Sequence, residues 1–210
     1  MERKSISDFY NLSLFIFDLD NTIYNEDNYL FDAYRNISEF IAGKVPALNV
    51  DELNLTLRKL YEVEGRSNLF NKFLDVFELD HEYLPDCIQI LRSFKAINKY
   101  KIYQQAKTVI EELIIRGKSI YVLTNGNPGQ QRNKIRNINW EDIEKSLTFV
   151  FADELEPKPS PAGIEHILVA AGIEKNKSIM IGDSEIDGDC ARNGGIHFIY
   201  AEDLFNILNQ

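Results

Sequence analysis

The feature that most constrains this 210-residue chain is a run of four apolar residues, Leu14 to Phe17, followed at once by two acids. The run is too short and too aromatic for a helix, and it predicts a strand buried on both faces, as in a parallel sheet. Asp18 and Asp20 would then lie at the carboxyl end of that strand, where open α/β sheets bind their ligands. Buried acids need a cation or hydrogen-bond donors, because an unpaired buried charge is costly. The competing interpretation is a strand that runs into an Asp-rich turn.

Four further short apolar segments alternate with helical patterns in the second half of the chain. They predict strands at Ser119–Thr124, Leu147–Phe151, Ser178–Gly182 and His197–Tyr200. Strands that alternate with helices imply right-handed crossovers and a parallel sheet with helices on both faces. The predicted class is therefore α/β, with a three-layer Rossmann-like core.

Between residues 31 and 100 the pattern is helical throughout, with no strand signal. It predicts helices at Phe31–Lys44, Val50–Val63, Leu69–Leu79 and Tyr83–Phe94, after a polar turn at Tyr24–Leu30. This block is expected to form a four-helix insert in the α/β core. The predicted boundaries assign residues 1–24 and 101–210 to the core and residues 25–100 to the inserted domain.

Composition excludes several classes of partner. The formal net charge of -10 disfavours nucleic acid, whose binding needs a basic face. No apolar run approaches the roughly 20 residues that span a bilayer. Cys87 and Cys190 lie far apart, with no disulfide framework or zinc spacing, and are expected to be reduced thiols. We expect a cytoplasmic protein without a membrane partner, as a monomer or small homo-oligomer.

Polar residues follow four of the predicted strands. Asp18 and Asp20 end the first, and the others are Thr124, Asn125 and Gly126, then Lys158 in EPKPSP, then Asp183 and Asp187 in GDSEID. Each group alone has a structural explanation as a helix cap or a solvated loop residue. Because all four endings fall at one edge of the same predicted sheet, they together favour a functional site.

These motifs resemble those of the haloacid dehalogenase-like hydrolase superfamily, in the same order and over nearly the whole chain. The matching residues are Asp18, Asp20 and Thr22 for the first motif, Thr124 in LTNG for the second, Lys158 in KPSP for the third, and Asp183 with Asp187 for the fourth. The helical insert resembles the helical cap that part of the superfamily inserts after its first motif. The phrase TNGNPGQQRNK, with Gln131 and Lys134, resembles the branch that contains nucleotidases and other small-metabolite phosphatases.

The resemblance implies a role for each motif residue. Asp18 is expected to attack phosphorus and form an aspartyl-phosphate, and Asp20 to act as general acid and base. Mg²⁺ is expected on Asp18, the Asp20 backbone carbonyl and Asp183. The phosphoryl oxygens are assigned to Thr124, Asn125, Gly126 and Lys158, and a supporting layer to Asp187, which would orient metal waters or Lys158, and to Thr22.

Asp20 distinguishes between reactions in this superfamily. A halide leaving group needs no proton, so a second acid favours phosphate transfer over carbon–halogen cleavage. We therefore expect a magnesium-dependent phosphatase acting on a small phosphorylated metabolite: a sugar phosphate, a nucleoside monophosphate or a phosphorylated acid. The alternatives are a phosphomutase, which uses the same two acids, and a catalytically inactive binding or regulatory module.

Substrate choice has one candidate residue in the insert. Arg66 lies in the polar loop EGRSN and could pair with a substrate carboxylate or second phosphate. The competing interpretation is an ordinary surface arginine.

Overall fold

The computed structural model describes residues 9 to 208. The chain divides into two compact units. The first contains the chain up to Asn25, Lys99–Gln131 and the chain from Ile138 onward, and the second contains Glu26–Asn98 and Arg132–Asn137. The function of the second unit as a cap stays a prediction.

The first unit is built on a parallel five-stranded sheet of order β5-β3-β1-β6-β7. The strands are β1 (Leu14–Phe17), β2 (Tyr100–Lys101), β3 (Ser119–Thr124), β4 (Ile138–Asn139), β5 (Leu147–Phe151), β6 (Ser178–Gly182) and β7 (His197–Tyr200). All five strands predicted from the sequence are confirmed, and with them the α/β class. The two-residue strands β2 and β4, which pair with each other, were not predicted because they are too short to show a periodic pattern.

β1 occupies the centre of the sheet, and its register decides what lies at the sheet's edge. Leu14 aligns with Ser119 of β3 and with Ser178 of β6. All four residues of β1 are fully buried. The carboxyl ends of β1, β3 and β6 consequently meet at one edge, as the motif argument requires.

Helices flank the sheet and form most of the second unit. They are α1 (Glu26–Lys44), α2 (Val50–Glu64), α3 (Leu69–Val76), α4 (Leu84–Ser93), α5 (Gln104–Ile115), α6 (Pro128–Asn137), α7 (Ala162–Ala171), α8 (Glu185–Gly194) and α9 (Ala201–Leu208). Each predicted helix exists, and most bounds agree within a few residues. Within residues 9–208, no helix combines the length and the apolar character needed to cross a membrane.

The start of α1 is the main error of the sequence prediction. Tyr24–Leu30 was expected to be a polar turn, but α1 begins at Glu26. Glu26 and Asp27 occupy its first turn, where acids interact favourably with the helix dipole. Glu26, Tyr29 and Leu30 are buried. An acid that is buried through a distant partner gives no local signal of helix in the sequence.

Both cysteines are free and buried, as expected. Burial raises the pKa of the Cys87 thiol to about 12 and that of Cys190 to about 11. Cys190 also donates from Sγ to the Ser160 carbonyl oxygen at 3.2 Å. Both thiols are therefore protonated at neutral pH and act as small apolar side chains.

Gly163 in α7 provides a test of packing against the sheet. A Cβ at Gly163 would lie 2.6 Å from Leu123 Cδ1, and Leu123 is fully buried. Gly163→Ala should therefore lower the free energy of unfolding by roughly 1 to 2 kcal/mol, because overpacking outweighs the better helix propensity of alanine.

Gly43 in α1 is the matched control, since a Cβ there meets nothing within 4 Å. Gly43→Ala should raise the free energy of unfolding by about 0.5 to 1 kcal/mol. Urea denaturation measures both variants. If both alanines stabilise the protein equally, there is space for a methyl group beside Gly163, and the close contact with Leu123 is wrong.

Candidate active site

Asp18 directly continues the central strand. Its backbone N–H donates to the Ile181 carbonyl oxygen of β6 at 2.8 Å, so the ladder extends one residue beyond β1. Its side chain is therefore fixed at the carboxyl edge of the sheet, where Asp18 is only 6% exposed. Sheet pairing thus places a carboxylate in a position where it cannot turn away into solvent.

The ammonium of Lys158 contacts Asp18 directly. Lys158 Nζ lies 2.5 Å from Asp18 Oδ1, 2.6 Å from Asp187 Oδ1 and 3.2 Å from the Leu123 carbonyl oxygen. These three acceptors match the three donors of an ammonium group. Burial lowers the pKa of Lys158, but the charges of Asp18 and Asp187 outweigh that effect and raise it, so the side chain stays charged.

Asp187 is held from its other side by the start of α8. Ser184 and Asp187 form a capping box, in which the Asp187 N–H donates to Ser184 Oγ at 3.4 Å and the Ser184 N–H donates to Asp187 Oδ2 at 3.2 Å. Ser184 Oγ also donates to Asp187 Oδ2 at 2.6 Å. A Cβ at Gly182 would lie 2.5 Å from Asp187 Cβ, so the strand end accommodates this side chain only because residue 182 is glycine. The structure therefore places Asp187 beside Lys158, which is one of the two contacts expected of it.

Asn125 binds the backbone of Lys158. Its Nδ2 donates to the Lys158 carbonyl oxygen at 2.9 Å, and its Oδ1 accepts from the Lys158 N–H at 2.8 Å. The Gly126 N–H donates to Asp153 Oδ2 at 2.7 Å. The chain itself therefore engages the two groups that were expected to bind substrate, and their contact with substrate stays a prediction.

Asp20 has two hydrogen-bond donors that the sequence argument did not assign to the site. Tyr24 Oη donates to Asp20 Oδ1 at 3.0 Å, and Gln131 Nε2 donates to Asp20 Oδ2 at 2.9 Å. The same Gln131 nitrogen donates to Thr124 Oγ1 at 2.6 Å. The sequence places Gln131 in a predicted helix after Thr124, but it does not show in which direction the Gln131 side chain points.

Three acids form a cluster that fits a hard divalent cation. Asp18, Asp183 and Asp187 each offer a carboxylate oxygen, and these oxygens lie within 4.8 Å of one another. Oxygen-only ligands are what Mg²⁺ binds in proteins. The cluster contains two of the three predicted ligands. Asp187, which already binds Lys158, is its third member, and ligation by the Asp20 backbone carbonyl stays a prediction.

The charge distribution also fits a cation. Burial raises the pKa of Asp18 to about 7, and the nearby Asp187 and Asp20 act in the same direction while Lys158 opposes them. Burial and the charge of Asp187 likewise raise the pKa of Asp183. A cation at this position would offset the repulsion among the acids.

Two other predicted residues lie in different surroundings. Thr22 is fully buried, and its Oγ1 has no hydrogen-bond partner within the described part of the chain. Arg66 belongs to the second unit, where its guanidinium pairs with Glu26 while 53% of its side chain stays exposed. Glu26 also pairs with Lys134, and both of these side chains are buried.

A cavity of about 480 Å³ in the first unit borders the acid cluster through Asp183. Its lining consists of Asn21, Tyr103, Gln105, Asp183, Tyr200, Ala201, Glu202, Asp203 and Phe205. The volume is within the range of small-molecule sites, roughly 300 to 1,000 Å³.

Comparison with protein families gives a match over most of the chain. The model described as haloacid dehalogenase-like hydrolase matches residues 15–201. Among solved structures, a candidate β-phosphoglucomutase from Thermotoga maritima superposes with a TM-score of 0.63 at 17% identity, covering 94% of this chain and 99% of that one. At this identity the likeness shows a shared fold, which does not determine function.

Two curated relatives are similar over part of their length. A phosphoserine phosphatase from Thermus thermophilus is 27% identical over 110 residues, which is 52% of this chain and 44% of that protein. A phosphoglycolate phosphatase from Rhodospirillum rubrum is 29% identical over 96 residues, which is 45% of this chain and 39% of that protein. The chain thus matches less than half the length of either relative.

The raised pKa of Asp18 should make binding of a cation at this cluster dependent on pH. The Asp18 carboxyl has a pKa of about 7, so in metal-free protein it is mostly protonated when the pH is lower than that. A cation that binds there must displace the proton. Calorimetry of Mg²⁺ binding in buffers of different ionisation enthalpy should give about one proton released per ion near pH 6 and almost none near pH 8.5.

Asp189→Asn is a suitable control, because Asp189 is a partly buried acid on α8 that pairs with Arg192. It should leave the proton release unchanged, whereas Asp18→Asn should abolish it. Release that does not vary with pH would contradict the assignment of Asp18 to the cation site.

Proposed function

Because this chain belongs to the haloacid dehalogenase-like hydrolase family, we propose that it is a magnesium-dependent phosphatase that acts on a small phosphorylated metabolite. The single most important observation is that Asp18 and Asp187 converge on the buried ammonium of Lys158 at the edge where Asp20 and Thr124 also lie. A nucleophile, an acid–base group, a cation and a hydroxyl are the components that phosphoryl transfer needs.

The reaction proceeds in two displacements. An Asp18 carboxylate oxygen attacks phosphorus, the bond from phosphorus to the leaving oxygen breaks, and Asp20 donates a proton to that oxygen. Water then attacks the aspartyl-phosphate while Asp20 accepts its proton, and inorganic phosphate leaves. Two displacements through a covalent intermediate replace one difficult step.

The remaining groups bind and stabilise the phosphoryl oxygens. Lys158 offers a fixed positive charge, and the Thr124 hydroxyl offers a donor, both at the edge where charge develops. Asp18, Asp183 and the Asp20 carbonyl would hold Mg²⁺. When bound, the ion offsets the negative charge of the phosphate and favours the ionised form of Asp18.

The identity of Asp20 favours phosphate transfer within this family. Its carboxylate is held by Tyr24 and Gln131, which suits a group that must give and take a proton. A carbon–halogen cleavage would not need that group. An inactive binding module would need neither acid, so the complete set of residues weighs against that alternative.

The substrate is the least constrained part of the proposal. Two relatives are named as phosphatases of phosphoserine and phosphoglycolate, which favours a phosphorylated acid. Sugar phosphates and nucleoside monophosphates stay in the test set. Arg66 remains our candidate for recognising an anionic group of the substrate, and a cytoplasmic location remains a prediction.

Phosphate release from a panel of these metabolites, with and without Mg²⁺, tests the function. Asp18→Asn should reduce turnover by roughly 1,000-fold or more, because it removes the nucleophile. Asp189→Asn, which changes an acid on α8 outside the site, should leave turnover intact.

Three outcomes of this panel would overturn the proposal in different ways. Turnover that persists in Asp18→Asn would remove Asp18 from the mechanism. Isomerisation of a sugar phosphate without phosphate release would establish a mutase. Silence across the panel in protein that binds Mg²⁺ would favour a binding module.

Arg66→Met tests the specificity assignment. Loss of a charge-assisted contact should raise KM about tenfold or more for a substrate with a second anionic group, and leave KM for p-nitrophenyl phosphate unchanged. Lys59→Met, at an exposed cation on α2, is the charge-matched control. If Arg66→Met leaves KM at its wild-type value for both substrates, Arg66 is an ordinary surface residue.

A further inference from the structure

We propose that Gln131 is a positioning residue that aligns the acid–base group Asp20 and the phosphate-binding group Thr124 through one side-chain amide. The proposal rests on the proposed function, because it assigns Gln131 a part in that reaction. The observation behind it is that Gln131 Nε2 donates to Asp20 Oδ2 at 2.9 Å and to Thr124 Oγ1 at 2.6 Å.

Burial makes these two hydrogen bonds effective. Gln131 and Thr124 are each only 1% exposed, so water does not compete for the amide. A side-chain NH₂ has two hydrogens, and the two contacts use both. Losing them would deprive the buried Thr124 hydroxyl of this donor, which is costly.

The chemistry of the neighbours fixes the orientation of the amide. If the Gln131 amide were flipped, its carbonyl oxygen would face the Asp20 carboxylate, and two acceptors would repel each other. The observed orientation turns Oε1 toward Gly126, whose Cβ position lies 3.6 Å from that oxygen. A Cβ at that distance would make only ordinary van der Waals contact, so position 126 favours glycine because of its φ of 110° and not because of the amide.

The contact with Thr124 determines what the hydroxyl can do. Because Thr124 Oγ1 accepts from Gln131, the hydroxyl hydrogen remains available for donation. In this structure it is directed to the Asn125 carbonyl oxygen at 3.4 Å, a long hydrogen bond that is easily exchanged. Gln131 thereby sets Thr124 as a donor to an incoming phosphoryl oxygen.

The contact with Asp20 determines where the carboxylate lies. Tyr24 Oη holds Oδ1 and Gln131 holds Oδ2, so the carboxylate is restrained from two sides. Tyr24 is itself fully buried. General acid catalysis requires the proton donor to be within hydrogen-bond reach of the leaving oxygen, and a restrained carboxylate meets that condition without reorganisation.

The dependence of the hydrolysis rate on the leaving group distinguishes this positioning role from a purely structural role. A p-nitrophenolate leaves without a proton, whereas an alkoxide needs one. Gln131→Met, of similar length but without donors, should therefore slow hydrolysis of alkyl phosphates about 10- to 100-fold more than hydrolysis of p-nitrophenyl phosphate. The selective loss should appear in kcat/KM, which reports the first displacement, because the second displacement is the same for every substrate. Gln130→Met, on the same helix one residue earlier, should change neither.

A second variant keeps the test possible if Gln131→Met does not fold. Gln131→Glu keeps the shape of the side chain but places an acceptor beside Asp20, and it should show the same selective loss. A loss of kcat/KM that is equal for both classes of leaving group, in either folded variant, would overturn the proposal. Tyr24→Phe, which keeps the ring and removes the hydroxyl that donates to Asp20 Oδ1, should give a smaller loss of the same kind.

Crystal structures of the wild type and Gln131→Met make the test independent of turnover. We expect the Asp20 carboxylate to leave its observed position or to occupy more than one conformer in the variant. An unchanged Asp20 would overturn the proposal whatever the activity. A wild type that releases no phosphate, combined with a displaced Asp20 in the variant, would instead overturn the proposed function and leave the positioning intact.

Discussion

The site depends on one buried ammonium, that of Lys158, between the carboxylates of Asp18 and Asp187. Removing three charges from water is costly unless each group finds partners with good geometry. The chain supplies those partners from four places: the end of β1, the first turn of α8, the carbonyl of Leu123, and the Asn125 amide that holds the Lys158 backbone. The register of three neighbouring strands therefore has to be correct before any of these contacts can form.

The same arrangement places more negative than positive charge around Asp18. Burial raises the pKa of Asp18 to about 7, and the charges of Asp187 and Asp20 add to this effect while Lys158 opposes it. A raised folded-state pKa means that the protonated carboxyl favours folding, and that this contribution is lost as the pH rises through about 7 in metal-free protein. The acids around Lys158 are thus less than optimal for stability in metal-free protein.

A second buried ion pair, between Glu26 and Lys134, lies within the helical unit. Lys134 also lies 5.7 Å from the ring centroid of Tyr29, within the range of a cation–π contact. The sequence does not indicate that Glu26 and Lys134 pair, because they are separated by more than a hundred positions. Glu26 begins α1, so this pair explains why a segment of polar appearance is helical and buried.

The sequence by itself determined the order of strands and helices and the residues at the strand ends. Short apolar runs and helical periodicity are local signals, and they predicted five strands correctly; Asp18, Asp20, Thr124, Lys158 and Asp183 followed from their positions after those runs. The hydrogen-bond partners of Gln131, Tyr24 and Asn125 were decided only by the tertiary structure. Their side chains act through hydrogen bonds to residues up to 111 positions away, and such bonds leave no periodic trace in the chain. The direction of a buried amide depends on which acceptors the folded strands bring beside it, and that is a property of three-dimensional packing.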